Sequence, residues 1–362
     1  MIEFLPLQKG TLENKPKTNK AFITSPMKDL KISCLFLIIL LPLMYSCKER
    51  DFDLPPLPAG IQAVSLLGDS LETQELSQEL YNEQNPQLVD AVAAYRNDPD
   101  DAENIIWLGR RTAYVGEYRE AVRMFTEGIY KFPEEPRMYR HRGHRYIKLR
   151  LLDPAIKDFE YAKAFMEGME DQVEPDGLPN EENEPQSTLK SNVYYHKGLA
   201  HYLKGEFEDA ITEYENAMDL DLTDDMRIAV LYWYYMALKR SGNDLKAGEI
   251  IEPVNAEIEL IENDVYLNLL LVFKGVFDAN RLMEASDNAL DNATLGYGIG
   301  NWHYINGREE RAVSIWENVY ATGQWPAFGY IASEAELARL NNQPNLQGWI
   351  CKRPDSDRFN LH

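Results

Sequence analysis

Residues 102–133 read AENIIWLGRRTAYVGEYREAVRMFTEGIYKFP. Small residues stand where two helices would touch: Gly109, Gly116, Ala121 and Gly128. Leu108, Tyr118, Phe125 and Ile129 supply bulk between them, and Pro133 closes the stretch. This spacing predicts two amphipathic helices joined by a tight turn at Gly116. Such a hairpin cannot bury its apolar face alone, so it predicts copies of itself.

The copies are present. Gly109, Ala121 and Phe125 recur 34 residues later as Gly143, Ala155 and Phe159. Gly143, Ala155, Phe159 and Ala162 recur 55 residues on as Gly198, Ala210, Tyr214 and Ala217, a spacing that contains a 21-residue insert. Gly198, Gly205, Ala210 and Tyr214 recur 102 residues on as Gly300, Gly307, Ala312 and Trp316. The pattern resembles the tetratricopeptide repeat, a helix-turn-helix unit of about 34 residues. The resemblance is closest at 102–135 and 191–224. It departs at Arg150, which replaces the turn glycine of the second unit, and at Val319, which replaces the last alanine of the final one. It implies an all-α solenoid of antiparallel helix pairs with a right-handed superhelical stack.

The expected organisation is a signal segment at 1–46 with Met27 as the natural start, a tether at 47–60, two capping helices over 61–101, the solenoid over 102–340 and a tail at 341–362. Ile32 to Met44 is an apolar run, ISCLFLIILLPLM, after Lys31 and before Tyr45-Ser46-Cys47. It is shorter than the roughly 20 residues a spanning helix needs. It resembles a bacterial lipoprotein signal, which implies acylation of Cys47 and an exported chain held in the outer membrane by lipid. The chain has three cysteines, Cys34, Cys47 and Cys351, so the exported body needs no disulfide. Residues 48–60, KERDFDLPPLPAG, suit an extended tether.

The formal net charge is −22, and residues 47–362 carry 31 basic and 56 acidic side chains, a net of −25. A body this acidic is a poor general ligand for nucleic acid. Against that background RMYRHRGHRYIKLR, residues 137–150, is unusually basic. The insert that follows the second unit, 170–190, is rich in Glu and Pro, and an insert of this length is either functional or without fixed structure.

In the resembled family the first helix of each pair lines a concave face. Carried over by position, this implies a groove of Arg110, Tyr114, Arg137, Arg140, His144, Lys148, Tyr195 and Tyr202. Arginines and tyrosines in a concave groove suit an extended acidic peptide or a C-terminal carboxylate. Asp176, Glu181 and Glu182 follow the basic unit, and the insert is expected to fold back over Arg110, Arg140 and His144 and gate the groove. The competing reading is a small anionic or sugar ligand held between groove and insert.

His141 and His144 have the i,i+3 spacing of a metal pair, but Arg140, Arg142 and Arg145 surround them and would repel a cation, so no metal is expected. There is no G-x-S-x-G, no phosphate-cradling loop and no H-E-x-x-H. Gly296-Tyr-Gly-Ile-Gly300 follows no strand, which removes the dinucleotide reading. The expectation is a non-catalytic scaffold without cofactors, binding a protein or peptide partner.

Overall fold

The structure is a computed structural model that describes residues 54–176, 180, 182–285 and 293–341. The described residues belong to one compact unit. The signal segment, Cys47, the start of the tether, Glu181 and the tail beyond 341 lie outside the described residues. Among the described residues no helix is long and apolar enough to cross a membrane.

The repeat glycines explain why the helices pair. A Cβ on Gly109 would stand 2.6 Å from the ring of Phe125, and one on Gly198 would stand 2.6 Å from the ring of Tyr214. The same meeting occurs between Gly143 and Phe159 at 3.0 Å and between Gly300 and Trp316 at 2.4 Å. In each unit a fully buried ring from the second helix lies on bare backbone of the first. The 34-residue spacing is therefore the repetition of one packing contact.

Among the described residues five pairs result: α2 (Ala102–Tyr114) with α3 (Tyr118–Lys131), α4 (Pro136–Lys148) with α5 (Leu152–Phe165), α6 (Leu189–Lys204) with α7 (Phe207–Met218), α8 (Asp224–Ser241) with α9 (Asp244–Ile251), and α12 (Ala293–Ile305) with α13 (Glu309–Ala321); α10 (Asp264–Phe273) and the short α11 (Ala279–Ala285) stand between the fourth and the last, α10 against α8 and α12 and α11 against α12. The first helices of successive pairs touch one another and make an inner layer, as solenoid stacking requires. Side-chain caps start many of these helices: Asp101 accepts from the Asn104 N–H, and Thr188 and Ser191 form a reciprocal capping box. The turns close in left-handed backbone at Gly116, Gly205, Gly242 and Gly307. In the second unit Arg150 takes that place, at φ 63°.

The N-terminal region differs from the expected two helices. Ile61–Val64 (β1) and Ser70–Glu72 (β2) form an antiparallel hairpin, and one helix, Gln78–Asn97 (α1), follows it. Ser65 Oγ accepts from the N–H groups of Leu67 and Asp69, and Gly68 takes positive φ, so IQAVSLLGDSLE folds as a turn between strands rather than as a helix. Ser77 caps α1, and Pro86 lies inside the helix. α1 packs on α2 as the expected terminal cover.

The hairpin joins the first and last pairs of the array. Gln62 Oε1 accepts from the Arg119 N–H of α3 at 3.1 Å, while the Glu72 carbonyl accepts from Trp325 Nε1, after α13, at 2.8 Å. Ser65 and Tyr320 share a hydrogen bond of 3.0 Å across 255 positions of sequence.

The last helix among the described residues is Phe328–Leu340 (α14). It packs against α12 and α13 and also reaches inward onto α6. Glu334, fully buried, meets Arg150 through Nη2 at 2.7 Å and Nε at 3.1 Å, and accepts from the Leu66 N–H. Glu336 pairs with Arg240 of α8 at 2.5 Å, and Arg339 donates to the Leu203 carbonyl at 2.8 Å. Residues of α14 thus cover the inner layer from the second unit to the fourth. The approach is close: a Cβ on Gly329 would lie 2.2 Å from the Ala293 carbonyl oxygen. Gly329→Ala should therefore cost about 1–3 kcal/mol, because backbone yields less readily than a side-chain tip. A denaturant midpoint unchanged from the parent would show that α14 does not seat against α12 as described.

Candidate functional site

Helix α4 supplies the cations. Glu135 caps its start by accepting from the Arg137 N–H, and Pro136 fits its first position, where a missing N–H costs nothing. Around the turns of α4 the side chains diverge. Arg142 turns to the fully satisfied pair with Asp158, at 2.8 Å to each oxygen. Arg140, His144, Arg145 and Lys148 turn toward the inner layer.

Arg140 Nε lies 3.0 Å from Glu174 Oε2, and His141 Nε2 lies 3.2 Å from Glu174 Oε1. An arginine only donates, so its 3.0 Å contact with His141 Nδ1 makes that nitrogen the acceptor and leaves the proton on Nε2, facing Glu174. Burial, then Arg140, holds His141 neutral, well below the usual imidazole range. Asn192 donates to Glu174 at 2.8 Å, and the Glu174 N–H donates to the Ser187 carbonyl. Glu174 belongs to the insert, whose two legs are clipped together by an antiparallel bridge between Val173 and Thr188.

Arg110, on α2, donates to the Pro175 carbonyl at 2.5 Å and lies 4.3 Å from the centre of the Trp107 ring. The insert therefore does lie over Arg110 and Arg140. His144 is covered from elsewhere: its ring meets His196 at 4.5 Å and Phe328 of α14 at 5.5 Å between centres. Lys148 donates to the Pro326 carbonyl at 2.6 Å, and its Nζ sits 3.5 Å over Phe328. Burial, then Arg145 and Arg150, pushes the Lys148 ammonium well below its usual range.

Tyr114 is half-buried among guanidinium groups. Burial raises its phenol, yet Arg110, Arg145 and Arg140 together outweigh that and bring it below the ordinary tyrosine value. Asp176, also half-buried, has its carboxyl raised by burial, with Arg110 opposing and Glu174 adding. Arg137 lies at the edge, paired with Glu135 at 2.8 Å and with Glu103.

Two residues expected on the groove surface lie in the core. Tyr195 is buried and accepts from Trp233 Nε1 at 2.9 Å; Tyr202 is fully buried, 2.6 Å from Tyr297 Oη, and burial pushes its phenol to about 12. Neither offers stacking area, because α14 and the later pairs close over this part of the inner layer. Three contributors escape the sequence reading: Arg145, on the basic helix itself, and Glu174 and Phe328, which arrive from the insert and from α14.

Among the described residues one other cluster has metal-ligand chemistry, His201, Glu206 and Asp209. Lys204 already pairs with Glu206, which places a competing cation in the cluster.

No family model matches the chain, and none of the curated proteins matches it. Among solved structures, a tetratricopeptide repeat protein from Parabacteroides merdae is 16% identical, with 72% of this chain and 98% of that one covered and a TM-score of 0.43. YrrB, described as a tetratricopeptide protein with an unusual peptide-binding site, is 14% identical over 68% of this chain and 97% of its own, with a TM-score of 0.36. The tetratricopeptide domain of P58(IPK) is 14% identical over 72% and 95%, with a TM-score of 0.22. These likenesses concern the arrangement of helices alone. The 34-residue register and the glycine-on-ring contact that repeats with it make this chain, in fold, a helical-repeat solenoid of tetratricopeptide type.

Proposed function

We propose that the chain is a non-catalytic scaffold that binds a protein or peptide partner at the α2–α4 end of its inner layer. One observation carries this reading. Arg110, Arg140 and Arg145 gather there, with Lys148 beyond them against Phe328 of α14, and among the described residues Glu174 is the one carboxylate in an ion pair with any of them. Buried charges are ordinarily paired, so an excess of this kind favours an acidic visitor. The rest of the inner layer is taken by α14, which confines the site to this end. Glu174 and the Pro175 carbonyl already occupy two of the guanidinium groups, as an acidic peptide would. The lipid anchor at Cys47 would place the scaffold in the cell envelope. A sugar ligand suits the site less well, since sugar hydroxyls need acceptors as well as donors and this surface is rich in donors.

Photo-crosslinking tests the assignment. A photoreactive phenylalanine analogue at half-buried Tyr114 should yield a specific protein adduct from envelope extract. The same analogue at Tyr130, which is 79% exposed on the second helix of its pair, should not. Identical adducts from both positions, or an adduct from Tyr130 alone, would remove the binding surface from α2–α4.

A further inference from the structure

We infer that the cationic cluster between α2 and α4 is a binding site for a phosphate group, the doubly charged oxyanion that would sit between Arg110, Arg145 and Tyr114. The inference rests on the reading that this end of the inner layer is the binding site, and it names the chemistry that binds there.

Charge comes first. Glu174 pairs with Arg140 and thereby fills the place a single carboxylate would take. Arg110, Arg145 and Lys148 remain. Arg110 and Arg145 are 5% and 4% exposed, so bulk water does little to solvate them. Their hydrogen bonds among the described residues go to neutral carbonyls, Pro175 for Arg110 and Pro326 for Lys148, while the Arg145 guanidinium lies 5.6 Å from the centre of the Tyr114 ring. The three histidines nearby add no compensating charge, and among the described residues Asp176 is the one further carboxyl, set beside Arg110. One additional carboxylate would leave this group of cations short of neutral. A dianion would not.

Donor geometry agrees. The buried polar atoms left over here include Arg110 Nε, Arg145 Nε and both ring nitrogens of His144. The two arginine nitrogens only donate, and a neutral imidazole always keeps one N–H to give. Tyr114 adds a hydroxyl from the half-buried rim. A tetrahedral oxyanion has acceptors on every side and fits several donors arriving from different helices, whereas a planar carboxylate suits a single arginine fork. Asp176 Oδ2, also unpartnered, is an acceptor at the rim and marks where the dianion meets repulsion.

The test uses the whole chain and inorganic phosphate at constant ionic strength, with acetate as control. Saturating phosphate should raise the melting temperature by about 4 °C, and acetate should not. Arg110→Gln and Arg145→Gln should each weaken phosphate binding by at least about tenfold. Without phosphate both should melt no lower than the parent, since each deletes an uncompensated charge; a purely structural arginine would instead lower the melting temperature when removed. Should either fail to fold, Tyr114→Phe removes a donor at the rim and should still weaken binding. Asp176→Asn should tighten it several-fold. A short phosphoserine peptide binding more tightly than free phosphate would show that the group arrives on a partner chain; free phosphate binding more tightly would show a free-ion site. Equal shifts with phosphate and acetate, or full phosphate affinity in Arg145→Gln, would overturn the assignment. The two readings fail separately. A Tyr114 adduct without a phosphate response leaves the scaffold and removes the anion; a phosphate response without an adduct does the reverse.

Discussion

Glu334→Ala should destabilise the chain by about 3–5 kcal/mol, among the largest losses a single substitution produces. Glu334 is fully buried on α14 and holds the Arg150 guanidinium through two hydrogen bonds, while also accepting from the Leu66 N–H. Removing the carboxylate strands a guanidinium that is 3% exposed, leaving it only the carbonyls of Lys148 and Trp325. It also orphans a backbone N–H in the hairpin. The cost lies in the partner left behind, not in the net worth of the pair. Arg150→Met combined with Glu334→Leu should accordingly recover part of the loss, since an apolar pair of similar volume leaves no buried charge and only the Leu66 N–H without its acceptor. Denaturant midpoints of the three variants decide the matter. A single Glu334→Ala variant within about 1 kcal/mol of the parent would show that the Arg150 site is open to water.

Mild acid should weaken the fold by a comparable amount. Burial and the surrounding arginines hold His141, His144 and His196 well below the usual histidine range, so all three are neutral in the folded chain. In the unfolded chain each takes up a proton near pH 6.5. The folded pKa values are depressed, so the unfolded state binds more protons as pH falls. The stabilisation is complete above pH 6.5 and is lost progressively from there toward the folded values. Each histidine contributes a slope approaching about 1.4 kcal/mol per pH unit, which gives about 3 kcal/mol for the three between pH 6.5 and 5.5. His303, buried and beside Arg308, acts in the same direction. Chemical denaturation at pH 7.0, 6.5, 6.0 and 5.5 should show this fall, and His144→Phe should remove about a third of it. A stability that stays flat from pH 7.0 to 5.5 would mean that these rings are protonated in the folded chain.

The pairing of helices was legible because it rests on a local rule. A glycine on one helix and a ring on the next recur at fixed spacing, and the contact they make lies within a few turns of chain. The hairpin at 61–72 was less legible, since its turn is closed by a serine hydroxyl rather than by a periodic apolar face. The site was half legible. Arg110, Arg140, His144 and Lys148 were placed together by repeat position, and the insert was expected above them. Tyr195 and Tyr202 were misjudged because repeat position names a groove but does not reveal what fills it. Here α14, more than a hundred residues downstream, fills it. One signal was available. Arg150 occupies a position where the other turns have glycine, at φ 63°, a conformation costing a residue with a Cβ roughly 1 kcal/mol or more. A departure from the repeat that carries such a strain marks a side chain required for a non-local contact, and Glu334 is that contact.

The joint between the hairpin and Trp325 also bears on how such a chain can change over evolutionary time. Open repeat arrays lengthen and shorten by duplicating or deleting whole modules, since each module answers only to its neighbours. This array cannot do so freely. An added module would carry Tyr320 and Trp325 away from Ser65 and Glu72, and a lost one would drive them past each other. The number of helix pairs is fixed by the fit at the seam, so variation should accumulate within modules and in the loops between them rather than in their count.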